Sequence, residues 1–395
     1  MGVNGHDAAY DGGSQASLDH AASVGLKVNI EGSLSKFTRN LDSIIGYAMA
    51  DEPNQAADTR YNAQAGTPTN DLGAQNYVSD ADAKRTADPT RIIWGNFTKD
   101  LLVGSESGTW GFPPSGWTAA QFEQHVRTQL SALDVVSADY YAWTDNWEWN
   151  QANVAGAAGH YGAWVYGHMI DRMKLLAPTI PGFLLIDTTN GQNTGNTALV
   201  NEATPNMINA AVWNALIHGA RGICWWTYNA IVWCGGLKDP NEQPYTGATY
   251  YEPFALYADH QFDPQYAMCQ SIGQWIAANA AILNSPTVSG ISGTSPSGVP
   301  VCALGKDVGG KLWVAVQMDG DATHQLSNTS STTATVTLPS VIAPGTVLNV
   351  VGENRTVTVD SNHAITDNFG TVTDTPKYSR IPLTFGYQKH IYMQQ

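Results

Sequence analysis

Short apolar runs alternate with longer amphipathic stretches over the first 285 residues of the chain. Leu26 to Gly32, Ile44 to Met49, Arg91 to Asn96, Val135 to Tyr141, Phe183 to Asp187 and Arg221 to Trp226 are brief and rich in β-branched and aromatic residues. Such runs suit strands buried on both faces of a parallel sheet. A further strand is expected over Gly2 to Ala9, giving seven, near residues 3, 28, 47, 93, 137, 185 and 224. The stretches between them carry helix signals. Ser14 to Val24 is stopped by Gly25 in the position of a left-handed C-terminal cap. Asp71 to Ala87 has helix-forming composition. Thr118-Ala119-Ala120-Gln121 is a capping box, followed by Phe122, Val126, Leu130 and Leu133 on one face. A helix is expected near Tyr161 to Leu176, and Thr204-Pro205 pairs a cap with a first-turn proline before a helix ending at His218-Gly219. Asp263-Pro264 opens a last helix reaching Leu283.

Regular alternation of strand and helix predicts an α/β fold with a parallel sheet and crossover helices. A doubly wound sheet needs a glycine-rich turn after an early strand, and none is present. The pattern therefore predicts a (β/α)8 barrel, over residues 1–285, that begins at what would be its second strand and lacks its first βα unit. After Ser285-Pro286 the helical period stops. Leu312 to Gln317, Thr333 to Leu338, Val347 to Val351, Thr356 to Val359 and His390 to Met393 predict an all-β sandwich over residues 286–395.

Composition narrows the partners. Only 13% of the chain is charged, and the net charge of −15 repels phosphate backbones, which argues against nucleic acid. No apolar run is long enough to span a membrane. The start, Met1 to His6, lacks the charged and apolar regions of a signal peptide. Even so, a polar, weakly charged, tryptophan-rich composition is that of secreted carbohydrate-active proteins, and secretion is expected. Cys224, Cys234, Cys269 and Cys302 show no metal-ligand spacing. Cys224 and Cys234 are close enough in sequence for a bridge, but scattered buried thiols are the preferred reading. No metal or cofactor is expected.

The chemistry concentrates at Asp51-Glu52-Pro53. Proline cannot continue a central strand, so Glu52 sits where the chain leaves the sheet, where catalytic groups of α/β barrels stand. Asp187 ends the strand Phe183 to Asp187 in the same way. Asp51 neighbours Glu52 but faces the other way on a strand, which favours an orienting hydrogen bond. His6, Asn96, Asp139, Tyr140 and Tyr228 fall at or beyond strand ends, suited to binding hydroxyls. Trp143, Trp147 and Trp149 crowd one loop, and Trp225, Trp226 and Trp233 another. Aromatic faces stack on the apolar faces of sugar rings, so these loops suit a glycan cleft. His20 and His218 fall in helices and read as packing or capping residues.

Asp51-Glu52-Pro53 resembles the acid/base strand of the retaining (β/α)8-barrel glycoside hydrolases, whose motif is Asn-Glu-Pro. Met1 to Asn4 is similar to their second strand, Asp139-Tyr140-Tyr141 to an Asp-x-Tyr signature, and Asn214 to Ile223 with Trp225-Trp226 to the approach to the eighth strand. Gly352 to Arg355, Asp367 to Phe369 and His390 to Tyr392 resemble the end of an appended sandwich. The resemblance implies hydrolysis with Glu52 as acid/base and a nucleophile at the seventh strand. There the family has Glu and this chain has Asp187, one methylene shorter. Asp187 is equally well read as a loop anchor, with Asp139, Asp145 and Glu148 in reserve. A shorter nucleophile can widen the carboxyl gap from about 5–5.5 Å toward the ~6.5–9.5 Å of inverting enzymes.

The expected function is a glycoside hydrolase cutting inside a β-glucan or hemicellulose, the endo-action inferred from the aromatic loops. A carbohydrate-binding protein on a barrel that has lost catalysis is the rival. A missing first unit would also leave open strand edges, from which a homodimer is expected.

Overall fold

The computed structural model describes residues 14–53, 60–98, 101, 115–140, 163–188, 203–226, 264–319, 332–374 and 383–395. Strand and helix alternate as α1 (Gln15–Ser23), β1 (Val28–Ile30), β2 (Ile44–Ala48), α2 (Leu72–Ala87), β3 (Ile92–Phe97), α3 (Ala119–Leu130), β4 (Val135–Asp139), α4 (Trp164–Leu176), β5 (Gly182–Asp187), α5 (Pro205–Ile217) and β6 (Gly222–Trp226). The six strands make one sheet in the order β1-β2-β3-β4-β5-β6. The pairings β1–β2, β2–β3, β3–β4 and β4–β5 are parallel. Strictly sequential order is that of a (β/α) barrel, because a doubly wound sheet reverses direction at a switch point. The strand expected near residue 3 lies outside the described residues.

Local chemistry accounts for the elements. The capping box at α3 is complete: the Thr118 hydroxyl accepts from the Gln121 N–H, and the Gln121 side chain accepts from the Thr118 N–H. Asp71 caps α2 through the Ala74 N–H (3.0 Å) and also meets Nδ1 of the buried His125 (2.8 Å), tying α2 to α3. In β2, glycine is required at position 46. A Cβ there would lie 2.6 Å from Asn29 Oδ1 and 2.4 Å from Ile92 Cγ1, the cross-strand neighbours on either side.

Contacts divide the chain into two units, residues 1–140 with 169–185, and residues 141–168 with 186–395. That division does not fall at residue 285, although the type of element does change there. The first unit holds β1 to β4 and most of α4 and β5. Its core includes Ile30, Ile44, Tyr47, Ile93, Phe97, Val136, Ala138 and Leu184, all buried.

In the second unit the last helix is not continuous to Leu283 as expected. It breaks into α6 (Pro264–Ala278) and α7 (Ala280–Leu283) at Asn279, whose non-helical backbone (φ −108°, ψ 15°) is held by its own side chain donating to Trp275 O (2.8 Å). The β segments follow: β7 (Thr287–Val288), β8 (Ser292–Thr294), β9 (Val301–Val308), β10 (Lys311–Met318), β11 (Thr333–Thr337), β12 (Val347–Val350), β13 (Arg355–Thr358), β14 (Ala364–Asn368), β15 (Thr371–Asp374), β16 (Leu383–Tyr387) and β17 (Lys389–Gln394). They form sheets ordered β13-β12-β17-β10-β9-β7 and β14-β11-β8, with β15 and β16 paired apart. Leu312, Val314, Val316 and Met318 of β10 share one core with Ala334 and Val336 of β11, Leu348 and Val350 of β12, Ile365 of β14 and Tyr392 of β17. The alternate residues of β10 are buried too, which is why Leu312 to Met318 reads as one nearly unbroken apolar run. On that second side Gln317, with Asp319 just past the strand, meets Asn214 of α5.

One polar cluster joins the three stretches that resemble a sandwich end. Arg355 donates to both oxygens of Asp367 (3.1 and 2.9 Å) and to Glu353 (2.8 Å). Tyr392 donates to Asp367 (2.8 Å), and His390 Nδ1 meets Glu353.

Candidate functional site

At the carboxyl ends of β2, β3 and β4, a relay of hydrogen bonds fixes a carboxylate group of residues. Trp94 Nε1 can only donate, and it donates to Ser137 Oγ (2.9 Å). The Ser137 hydroxyl then donates to Asn96 Oδ1 (2.7 Å). That leaves Asn96 Nδ2 pointing at the acids, donating to Asp51 Oδ1 (2.9 Å) and Asp139 Oδ2 (3.2 Å). The chain of donors sets the Asn96 amide orientation without ambiguity. Trp94, Asn96, Ser137 and Asp139 are all buried, whereas Asp51 is exposed.

Glu52 stands beside this relay with its backbone in the left-handed region, φ 42°. Its N–H donates to Asn96 O (3.0 Å), and the Met49 N–H donates to Trp94 O (2.8 Å), so the exit of β2 is stitched to β3. A non-glycine residue there costs about 1–3 kcal/mol, a strain that persists only where the surroundings enforce it. Glu52 is half-buried.

Sequence reading passed over Glu31, the first residue after β1. Burial, with the charge of Asp51 adding to it, raises the Glu31 carboxyl above its usual range, while Lys84 opposes the shift. Lys84 Nζ donates to the Glu31 carbonyl oxygen (2.6 Å) and lies over the Tyr47 ring (5.4 Å). Burial lowers the Lys84 ammonium. The signal was available in kind: a carboxylate at a strand exit, like Glu52.

The structure brings Asp51, Asn96 and Asp139 together, with Glu52 bonded to Asn96 through its backbone, and buries Tyr140 after Asp139. Asp187 is fully buried as the last residue of β5 and belongs to the second unit. Trp225 and Trp226 close β6. His6, Trp143, Asp145, Trp147, Glu148, Trp149, Tyr228 and Trp233 lie outside the described residues. Among the described residues, Cys224, Cys269 and Cys302 are free thiols, and burial pushes Cys224 and Cys269 up to about 12.

No protein-family model matches the chain, and neither does any curated protein. Comparison with solved structures returns distant matches, glycoside hydrolases among them. A thermostable mutant of a xylanase from Cellvibrio japonicus is 14% identical, over 64% of this chain and 80% of that one, with a TM-score of 0.36. A family 51 α-L-arabinofuranosidase from Bifidobacterium longum is 11% identical, over 97% and 78%, with a TM-score of 0.39. The Eubacterium rectale protein Amy13B is 12% identical, over 90% and 61%, with a TM-score of 0.43. All three scores fall below 0.5, so the fold is argued from strand order and the function from the residues.

Proposed function

We propose that the chain is a glycoside hydrolase that cuts β-linkages inside a polysaccharide, a β-glucan or hemicellulose, with Glu52 as acid/base. The observation that carries this reading is the strained, half-buried Glu52 at the exit of a parallel strand. The strained backbone of Glu52 is held by its N–H bond to Asn96 O, the residue whose amide orients Asp51 and Asp139, and strain of this kind gathers at functional sites. Asn96, Asp51 and Asp139 then form the wall that orients sugar hydroxyls. Asp187, the last residue of β5, is the second carboxylate of the reading.

Glu52→Gln keeps the shape and deletes the proton donor. Release of reducing ends from β-glucan, xylan or mannan should fall by ~10²–10⁴-fold. Hydrolysis of an aryl glycoside whose leaving group needs no protonation should fall far less. A variant with near wild-type turnover on the unactivated polysaccharide removes Glu52 from the mechanism. A wild-type chain that binds these polysaccharides and releases no reducing ends is a binding protein.

A further inference from the structure

We propose that His218, Cys302 and Asp319 form a binding site for a zinc-type cation, which fastens α5 to β9 and β10. One ligand atom from each residue lies within 4.8 Å of the other two. His218 Nε2 is 3.2 Å from Asp319 Oδ2, and His168 Nε2, from the first turns of α4, is 3.7 Å from the same oxygen. Ligand atoms bound to zinc at about 2.0–2.3 Å stand ~3.3–3.7 Å apart in a tetrahedron, so the His218–Asp319 pair is already near that spacing and the three atoms as a set close in by about 1 Å at most. Imidazole, thiolate and a single carboxylate oxygen are a borderline-soft set that suits Zn²⁺ or Co²⁺ and not Mg²⁺ or Ca²⁺. His168 stands outside that set of three, near Asp319, and is the fourth ligand of the proposal once its side chain turns toward the site.

The surroundings hold these groups in place. Asp319 is buried, its Oδ1 accepts from Asn214 Nδ2 (3.0 Å), and its N–H donates to Pro300 O (2.6 Å). Metal-binding carboxylates are oriented by such outer partners. Asn214 also accepts from the Gly167 N–H (2.7 Å), beside His168. A Cβ on Gly167 would lie 2.4 Å from the His218 ring, so glycine is what lets α4 approach the end of α5 this closely. Cys302 sits opposite Gln317 in the β9–β10 ladder and donates to Gln317 O (3.3 Å). Metal uptake replaces that hydrogen: the thiol proton leaves to solvent, Sγ takes the cation, and the His218 ring carries its proton on Nδ1.

The test is a titration of the reduced, chelator-dialysed full chain with Co²⁺, followed by Zn²⁺. The expected result is one equivalent of Co²⁺ with a thiolate-to-metal absorption band in the near ultraviolet, which Zn²⁺ abolishes. The band should be lost in Cys302→Ser, weakened in His168→Gln and kept in Cys269→Ala. A wild-type chain that shows no thiolate band and retains no metal after desalting overturns the proposal, whatever the variants do. A band unchanged in Cys302→Ser overturns it as well.

Discussion

Two carboxylate clusters in this molecule are built on opposite electrostatic plans. In the β domain, burial works against the Asp367 carboxylate, but hydrogen bonds from Arg355 and Tyr392 outweigh it and hold the group below its usual range. Arg355 is raised in turn, first by its hydrogen bond to Asp367. At the strand exits of the first unit, Asp51 and Asp139 share the single amide of Asn96, and Glu31 is raised by burial and by Asp51. One cluster neutralises charge against a cation and gains stability from doing so. The other gathers carboxylates around one neutral amide, with Lys84 only partly offsetting the raised Glu31, which stabilises little. Strain at Glu52 falls in the second cluster. Clusters of the second kind are where perturbed carboxyl groups serve chemistry.

The largest expected separation between the two comes from Asn96→Ala. The Ser137 hydroxyl would lose its acceptor, and Asp51 and Asp139 their shared donor. Stability should drop by about 1–3 kcal/mol, the cost of buried polar groups left unpaired. Loosening of the strand exits should lower polysaccharide turnover by ~10²-fold, as misplacement by about 1 Å can. Urea unfolding and turnover, measured together, check both. A variant with normal turnover and lowered stability would make the relay structural only.

Asp367→Asn tests the other cluster. Losing the charge that Arg355 pairs with should cost about 1.5–3 kcal/mol, the range for hydrogen bonds to charged groups. Turnover per folded molecule should stay within about two-fold, a change of roughly 0.4 kcal/mol. The sign with pH follows from the lowered carboxyl. Its stabilisation is present above the unfolded value of about 3.9 and is lost as pH falls through the folded value. The gap in stability between wild type and Asp367→Asn should therefore close in acid. An equal loss of turnover here and in Asn96→Ala would erase the contrast between the clusters.

The sequence made the elements legible where a local rule sufficed. Runs such as Ile92 to Trp94, the Thr118–Gln121 box and the Thr204-Pro205 start each depend on residues within one turn or strand, and each lies where its pattern puts it. β9 was missed because Gly305, Lys306 and Asp307 interrupt its apolar pattern, though Lys306 is buried by donating to Ser285 O and Thr287 Oγ1. The two pairs that join the C-terminal end of α5 to the residue just past β10, Asn214 with Asp319 and His218 with Asp319, had no signal at all, since they come from segments about a hundred residues apart in the chain. The place of Glu52 at a strand exit was legible from Pro53. Its relay was not, because the alignment of Asn96, Ser137 and Asp139 depends on the register of β3 with β4, which pairs Asn96 with Ser137.

The smallest expected effect is also the one that reverses the sign. Glu31 is raised, so the fold favours its protonated form, and the ionised form is destabilising relative to the unfolded chain. Below the unfolded value of about 4.3, wild type and Glu31→Gln should therefore be nearly equal in stability. As pH rises through the folded value, wild type should fall behind, and Glu31→Gln should be the more stable at pH 7. Partly exposed charge interactions are worth ~0.2–1 kcal/mol, and the gap should sit in that range. Asp51→Asn removes the like charge next to Glu31 and should shrink the gap, while Asp367→Asn should leave it unchanged. Thermal unfolding from pH 4 to pH 8 of wild type, the three single variants and the two double variants that add Glu31→Gln to Asp51→Asn or to Asp367→Asn measures all of this. A wild type that gains on Glu31→Gln as pH rises would show Glu31 to be paired in the manner of Asp367, and the two clusters would then follow one plan.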